Sequence, residues 1–223
     1  MSAGAAAGDF VTRLKKLDCC AVSDALDKLH LKGVVSGLTE LASSRRIAGR
    51  VLTVKLGVGE APAGRPRHVS TTAIEAAQPG DIIVVEQHSG VNAGSWGGIL
   101  TLGAKLRGVA GVIADGPVRD IDEARQHDFP VFGKGVTTFT ARGRIVELAT
   151  GGPITVGDTP VKPGDYAIAD GSGVVFISAE NIEKVLTVAE EISAREAAMA
   201  QALREGKPIT EVMGANYENM LRN

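Results

Sequence analysis

The sequence predicts an α/β fold built around a βαβ unit. Residues 82–86 form a continuous apolar run typical of a buried strand, residues 97–107 have helical spacing, and residues 109–114 form a second apolar run. Gly108 follows the helical segment, where a glycine often ends a helix. Strand, helix and strand in this order predict two parallel strands joined by a right-handed crossover.

The other elements are predicted from periodicity and from Pro/Gly turns. Before the unit they are a helix at 9–29 with an internal break capped by Asp18 or Ser23, a strand at 46–56, a loop at 57–67 and a short helix at 70–77. After it come a short helix at 121–127, a short strand at 130–132, several strands within 144–178 and a long helix at 179–205, capped by Ser178 and closed by Gly206. That helix would approach about 40 Å in length, so part of it is expected to pack on another subunit.

Length and composition favour one domain with an aliphatic core. The 223 residues fit a single domain spanning 1–223, because single cores stop growing at about 250 residues. Apolar residues make up 44% of the chain and aromatic residues only 4%, so Val, Ile, Leu and Ala must fill the core. Cys19 and Cys20 are adjacent in a predicted helix and cannot easily bridge, so we expect buried, unpaired thiols.

Charge and hydropathy argue against nucleic-acid and membrane partners. The 24 basic and 26 acidic residues show no long run of one sign. No basic-then-apolar leader begins the chain, and nowhere do about 18 uncharged apolar residues run together. We therefore expect a cytoplasmic protein.

Two loops are expected to meet at one edge of the sheet. The carboxyl ends of parallel strands lie together, so the loops at 87–97 and 115–120 should be neighbours. The first ends in GSWGG at 94–98 and precedes a helix, so its N–H groups can converge on an anion. The same glycines equally fit a tight turn that merely needs glycine.

The second loop carries Arg119 and Asp120. Arg119 offers a planar fork for a carboxylate, and Asp120 offers a hard oxygen for Mg²⁺ or Mn²⁺. An ordinary surface ion pair is the alternative interpretation. Beside the glycine loop, however, the two can hold a small 2-oxo acid, with its carboxylate on backbone amides and Arg119 and its oxo group on the metal.

Other constellations give weaker signals. The four histidines lack the paired spacing of a zinc site, although His88 lies in the first edge loop and could support a ligand. No G-x-S-x-G elbow occurs, and Lys105 and Lys134 are expected to be surface lysines rather than Schiff-base nucleophiles.

Three central motifs closely resemble the signature of the RraA-like family: WGGIL at 96–100, AKLRGVAGVI at 104–113 and DGPVRD at 115–120. VSDAL at 22–26 fits the family's opening, and the likeness extends to the last helix. The family includes 4-hydroxy-4-methyl-2-oxoglutarate aldolases, which also decarboxylate oxaloacetate, and a regulator that inhibits a ribonuclease. The resemblance implies a swivelling-domain-like α-β-β-α sandwich, assembled as a homotrimer or hexamer with its site between subunits.

The resemblance also implies roles for individual residues. Asp120 would anchor Mg²⁺, Mn²⁺ or another divalent metal, Arg119 would bind substrate, and the loop of Gly97, Gly98, Ile99 and Leu100 would offer amides to the substrate carboxylate. A glutamate from the neighbouring subunit's last helix would order water at the metal. Glu196 is the best match, with Glu191 as the alternative.

One position departs from the family pattern. The aldolases place an acid where this chain has Gly98, so one carboxylate that would order water or move protons is absent. The leading hypothesis is a metal-dependent aldolase or oxaloacetate decarboxylase that forms pyruvate. The alternative is a non-catalytic, protein-binding regulator of ribonuclease activity.

Overall fold

The computed structural model describes residues 3–60, 62 and 67–214. The helices are α1 (Ala3–Leu14), α2 (Cys19–Lys28), α3 (Thr71–Ala76), α4 (Gly98–Leu106), α5 (Ile121–Gln126), α6 (Ile182–Arg204) and α7 (Ile209–Val212). The strands are β1 (Val34–Val35), β2 (Thr39–Ala42), β3 (Ile47–Gly57), β4 (Ile82–Gln87), β5 (Gly111–Val118), β6 (Val131–Val136), β7 (Val146–Thr150), β8 (Ile154–Val156), β9 (Thr159–Val161), β10 (Tyr166–Asp170) and β11 (Gly173–Ile177).

Four neighbouring strands, β3, β4, β5 and β6, run parallel. Ile82 of β4 is aligned with Gly111 of β5, and α4 connects the two strands, so the predicted βαβ unit is confirmed. Gly108 has φ +75° just beyond α4, a left-handed conformation that glycine adopts without steric cost. The carboxyl ends of β4 and β5 therefore lie at one edge of the sheet.

The long strand β3 joins two halves of the sheet. Its first residues pair antiparallel with β10, and its later residues pair parallel with β4. Beyond β10 the order continues through β11 to β1, while β5, β6 and β2 extend the other half. One continuous strand thus belongs to both β layers.

Three hydrophobic clusters fill the three gaps of an α-β-β-α sandwich. In the first, α3 and α4 pack on one face of the parallel strands, which is formed in β4 by Ile83 and Val85. In the second, the alternate residues Ile82 and Val84 meet β10, β11 and the β8–β9 hairpin. In the third, α1, α2 and α6 cover the outer face of β10 and β11. The predicted α/β sandwich is confirmed.

Several boundaries differ from the sequence prediction. The first helix is two helices, because the Asp18 side chain accepts a hydrogen bond from the Ala21 N–H (2.8 Å) and caps α2, while Ser23 lies inside it. The last helix begins at Ile182 rather than 179, with Asn181 and not Ser178 at its N-cap. Of the two unpaired cysteines, Cys19 is buried as predicted, but Cys20 is exposed.

Candidate active site

The two predicted edge loops are in direct contact. The Ser95 N–H donates to the Pro117 carbonyl (2.8 Å), and the Arg119 N–H donates to the Trp96 carbonyl (3.0 Å). The Ser95 hydroxyl adds a second bond to the Pro117 carbonyl (2.8 Å). These bonds hold the glycine loop against the strand end that carries Arg119 and Asp120, as the parallel topology predicted.

Glycines in this loop make room for side chains of the second loop. A Cβ on Gly94 would lie 2.8 Å from Arg119 Cγ, and a Cβ on Gly97 would lie 2.9 Å from Asp120 Oδ2. Gly97 has φ −158°, which any residue adopts, so it is required for space and not for backbone conformation. The close approach of the two loops therefore explains glycine better than a turn does.

Asp120 adopts an unusual backbone conformation and is held from two sides. Its φ and ψ of 59° and 40° lie in the left-handed region, which Asp and Asn tolerate better than most residues. Arg119 Nε lies 3.1 Å from each carboxylate oxygen, and the Gly98 N–H donates to Oδ2 (3.1 Å). The ion pair considered from the sequence does form, but both side chains also line a cavity.

The amides of the loop are not equivalent. The Gly98 N–H, which was predicted to donate to a substrate carboxylate, donates to Asp120 Oδ2 in this structure. Ile99 and Leu100 belong to the first turn of α4, where N–H groups lack intrahelical acceptors. The N–H groups of these two residues and the Arg119 guanidinium are suitable donors for a carboxylate.

The cavity has a volume of about 390 Å³, and its far wall is basic. Arg142 and His68 stand there with Thr71 and Thr140. Burial lowers the pKa of His68, and the nearby positive charge of Arg142 lowers it further. This wall was missed in the sequence, because its residues come from two loops outside the βαβ unit. No spacing in the chain links them to Arg119.

The available donors fit a hard divalent cation with few protein ligands. In the described ranges, no group of three or more His, Cys, Asp or Glu side chains could hold a metal ion. The Asp120 carboxylate is accessible, with 30% of its side chain exposed. Mg²⁺ commonly binds through one or two carboxylates and keeps several waters, whereas structural zinc takes four protein ligands. The donor set therefore suits Mg²⁺ or Mn²⁺.

Comparison with known proteins identifies the family. The sequence pattern of the RraA-like family, described as Aldolase/RraA, matches residues 19–176 of this chain. The chain belongs to the RraA-like family. A relative from Halalkalibacterium halodurans with the provisional name 4-hydroxy-4-methyl-2-oxoglutarate aldolase is 30% identical over 197 residues, which cover 88% of this chain and 90% of the relative.

Solved structures share the RraA-like fold. A protein from Pseudomonas syringae pv. tomato superposes with a TM-score of 0.83 at 25% identity, covering 93% of this chain and 98% of its own. RraAS2 from Streptomyces coelicolor, described as an unusual member of the RNase ES inhibitor RraA protein family, gives a TM-score of 0.76 at 23% identity, covering 87% and 98%. No helix in the described part of the chain is both long enough and apolar enough to cross a membrane.

The C-terminal glutamates predicted for the RraA-like site lie elsewhere in the same chain. Glu196 and Glu191 are exposed on α6, and neither lines the cavity. Partial burial raises the pKa of Glu196, and the negative charges of Asp18 and Asp24 on α2 raise it further. Within one chain, Glu196 is therefore near α2 rather than Asp120.

A second polar cluster lies on the opposite face of the parallel strands. The Asp115 side chain is fully buried, with Lys134 Nζ 2.5 Å from Oδ1 and the Gly157 N–H donating to Oδ2 (2.7 Å). His88 also contacts Oδ2. Both His88 and Lys134 thus support Asp115 and not Asp120, so Lys134 is not simply the solvated lysine expected. Lys105 remains on the surface of α4 and donates to the His127 carbonyl.

Proposed function

We propose that this RraA-like protein is a divalent-metal-dependent lyase acting on small 2-oxo acids. The proposed reactions are aldol cleavage of 4-hydroxy-2-oxo acids of the 4-hydroxy-4-methyl-2-oxoglutarate type, giving pyruvate, and oxaloacetate decarboxylation. The supporting observation is the Arg119–Asp120 pair, which lines a cavity beside the first turn of α4. An ion pair that served stability alone would not need an adjoining chamber with free amide donors.

The chain's residues would bind and orient the substrate. Arg119 bonds Asp120 through Nε only, and its two terminal NH₂ groups donate to none of the described residues. They remain available for the substrate carboxylate together with the amides of Ile99 and Leu100. Arg142 on the far wall would attract a second carboxylate, and the His68 ring beside it would offer a hydrogen bond.

Asp120 would hold Mg²⁺ or Mn²⁺, which supplies positive charge to polarise the 2-oxo group and to stabilise the negative charge that develops there. In aldol cleavage the C3–C4 bond breaks, and the 4-hydroxyl loses a proton as C4 becomes a carbonyl. The electron pair of the broken bond stays on the pyruvate fragment as an enolate, which becomes pyruvate when C3 takes up a proton. In oxaloacetate decarboxylation the same bond breaks and CO₂ leaves, so no hydroxyl proton has to be removed. Decarboxylation therefore requires less of the site than aldol cleavage does, and it is the simpler activity to test.

Chelation provides the first prediction. Exhaustive EDTA treatment should abolish oxaloacetate decarboxylation, and added Mg²⁺ or Mn²⁺ should restore it, because Asp120 offers a modest, reversible site. Decarboxylation is measured by loss of the enol absorbance, with melting temperature as the control. The melting temperature should change little, since the metal is not structural.

Activity that survives EDTA would contradict the metal role. A wild-type protein that is inert towards every 2-oxo acid would favour the non-catalytic, ribonuclease-regulating alternative.

We further propose a homotrimer or hexamer in which Glu196 completes the neighbouring subunit's site. The buried positions of α6 end at Ile192, and residues 194–198 are all exposed. On α4, Ile99 and Leu106 are 82% and 78% exposed, and Leu102 lies between them on the same side. The exposed segment of α6 at 194–198 and an exposed apolar stripe beside the cavity are both features that a second subunit would cover.

Mixed assemblies test this arrangement. Asp120→Asn and Glu196→Gln should each abolish most turnover. When the two variants are coexpressed, about a quarter of the sites should regain activity. Each site needs an intact Asp120 from one subunit and an intact Glu196 from its neighbour, and random assembly with closed symmetry brings the two together at about that share of interfaces. Sedimentation velocity checks that oligomers of the 23.0 kDa chain form. A fully active monomer, or no recovery on mixing, would rule out the intersubunit role.

A further inference from the structure

The carboxylate of Glu123 occupies the space that a side chain at position 98 would fill. Glu123 lies in the first turn of α5, three residues after Asp120. A Cβ built on Gly98 would lie 1.7 Å from Glu123 Oε2 and 3.3 Å from the Asp120 Cβ. Since real Cβ atoms essentially never approach another atom so closely, any other residue at 98 would displace this carboxylate. Glycine at position 98 therefore leaves room for the Glu123 carboxylate.

The Glu123 carboxylate is unpaired in the part of the chain that the structure describes. Within residues 3–60, 62 and 67–214 it makes neither a hydrogen bond nor an ion pair. Its neighbour Asp122 differs, because Arg125 lies 3.0 Å from that carboxylate. Arg119, which lines the cavity, donates to Asp120 instead. The protein thus places an unpaired carboxylate beside that of Asp120, the N-cap residue of the same helix.

The first turn of α5 favours a negative charge, but it does not explain why the Glu123 carboxylate lies next to that of Asp120. Like charges three residues apart on a helix repel each other, and other rotamers would carry an exposed Glu side chain into solvent. Instead it lies against Gly98, the residue whose N–H bonds Asp120 Oδ2. A divalent ion with two hard carboxylates and several waters would balance both charges.

We propose that Glu123 is the second carboxylate of the metal site, placed there by the glycine at 98. This inference rests on the proposed metal-dependent function and adds a residue to it. Asp120 holds the ion from the Arg119 side. Glu123 approaches from the Gly98 side and orients the ion or its waters.

Binding of Mn²⁺ alone tests the role without relying on turnover. The full chain in its native assembly is titrated with Mn²⁺, and the free ion is followed by electron paramagnetic resonance. Glu123→Gln should weaken Mn²⁺ binding by about tenfold or more, the usual effect of losing a group that supports a metal. Asp122→Asn is the matched control, because it removes the same charge from the adjacent residue. It should change Mn²⁺ affinity by less than about twofold, since exposed charges are strongly screened.

A relocated carboxylate gives a second, independent measurement. In a Glu123→Ala background, Gly98→Asp returns a carboxylate to the vacated space, and Gly98 has no left-handed φ that would oppose the change. The double variant should bind Mn²⁺ more tightly than Glu123→Ala alone. Melting temperatures in EDTA verify that every variant is folded.

The possible outcomes distinguish a wrong role for Glu123 from a wrong metal site. If wild type binds Mn²⁺ but Glu123→Gln binds it equally well, or if Asp122→Asn weakens binding as much, the role of Glu123 is wrong and the metal site stands. If wild type binds no Mn²⁺ at millimolar concentration, the metal site itself is wrong and this inference falls with it. Weakened binding in Glu123→Gln, together with recovery in the double variant, supports the proposal.

Discussion

Asp120→Asn is expected to lower turnover of 2-oxo acids by about 10³-fold while leaving the fold intact. The loss follows from removing the anionic ligand, because a Lewis-acid contribution of about 4 kcal/mol corresponds to that factor in rate. Asn is a better choice than Ala here, since it tolerates the left-handed backbone of residue 120 and keeps an oxygen to accept from the Gly98 N–H. Any rate loss can therefore be assigned to charge rather than to strain.

The measurement is kcat for oxaloacetate decarboxylation at saturating Mg²⁺, together with melting temperature and oligomer mass. Asp122→Asn serves as the control, because Asp122 is 89% exposed two residues after Asp120 and, among the described residues, pairs only with Arg125. Wild-type kcat in Asp120→Asn would refute the metal role of Asp120. A large drop in melting temperature would instead assign the carboxylate to stability.

The βαβ core was predictable because its signals are local. The apolar run of β4, the helical spacing of α4 and the glycine at 108 each depend on neighbouring residues in the chain. The break at Asp18 was visible as a capping residue, but the choice between Asp18 and Ser23 depended on packing. The short strands β1 and β2 were missed, because they are fixed by pairing with the distant strands β11 and β6 and not by their own sequence.

The arrangement of the two edge loops was also predictable from local signals. The position of Arg119 and Asp120 beside the glycine loop was predictable, because both residues follow a buried strand and parallel topology alone brings the glycine loop to them. Their roles in binding stay predictions. Glu123 was not considered, because its closeness to Gly98 depends on the fold and no sequence spacing reveals it. The position interpreted as a missing acid is in fact filled by a carboxylate from another element. Arg142 and His68 likewise reach the cavity only through tertiary folding.

The second large effect is on stability and concerns Asp115. This carboxylate is fully buried and joins β5 to Lys134, to His88 and to the Gly157 N–H of the β8–β9 turn. Asp115→Asn should reduce the free energy of unfolding by about 2 to 4 kcal/mol, less than for a wholly buried pair, because both cationic partners can turn towards solvent. In a chain of this size, that corresponds to a melting temperature lower by roughly 5 to 10 °C.

The pH dependence of the melting temperature tests whether the charge of Asp115 causes this stabilisation. Burial alone would raise the pKa of Asp115, but the bonds from Lys134, Gly157 and His88 outweigh it, so the pKa falls below its ordinary value of 3.8. A carboxyl whose pKa is lower in the folded state adds stability above its unfolded pKa and loses it as the pH falls through the folded value. The difference in melting temperature between wild type and Asp115→Asn should therefore be full at pH 7 and shrink below about pH 4.

The control is Asp158→Asn, an exposed change in the β8–β9 turn that contains Gly157. It should leave the melting temperature unchanged. Equal melting temperatures for wild type and Asp115→Asn at pH 7 would show that this buried cluster does not stabilise the fold.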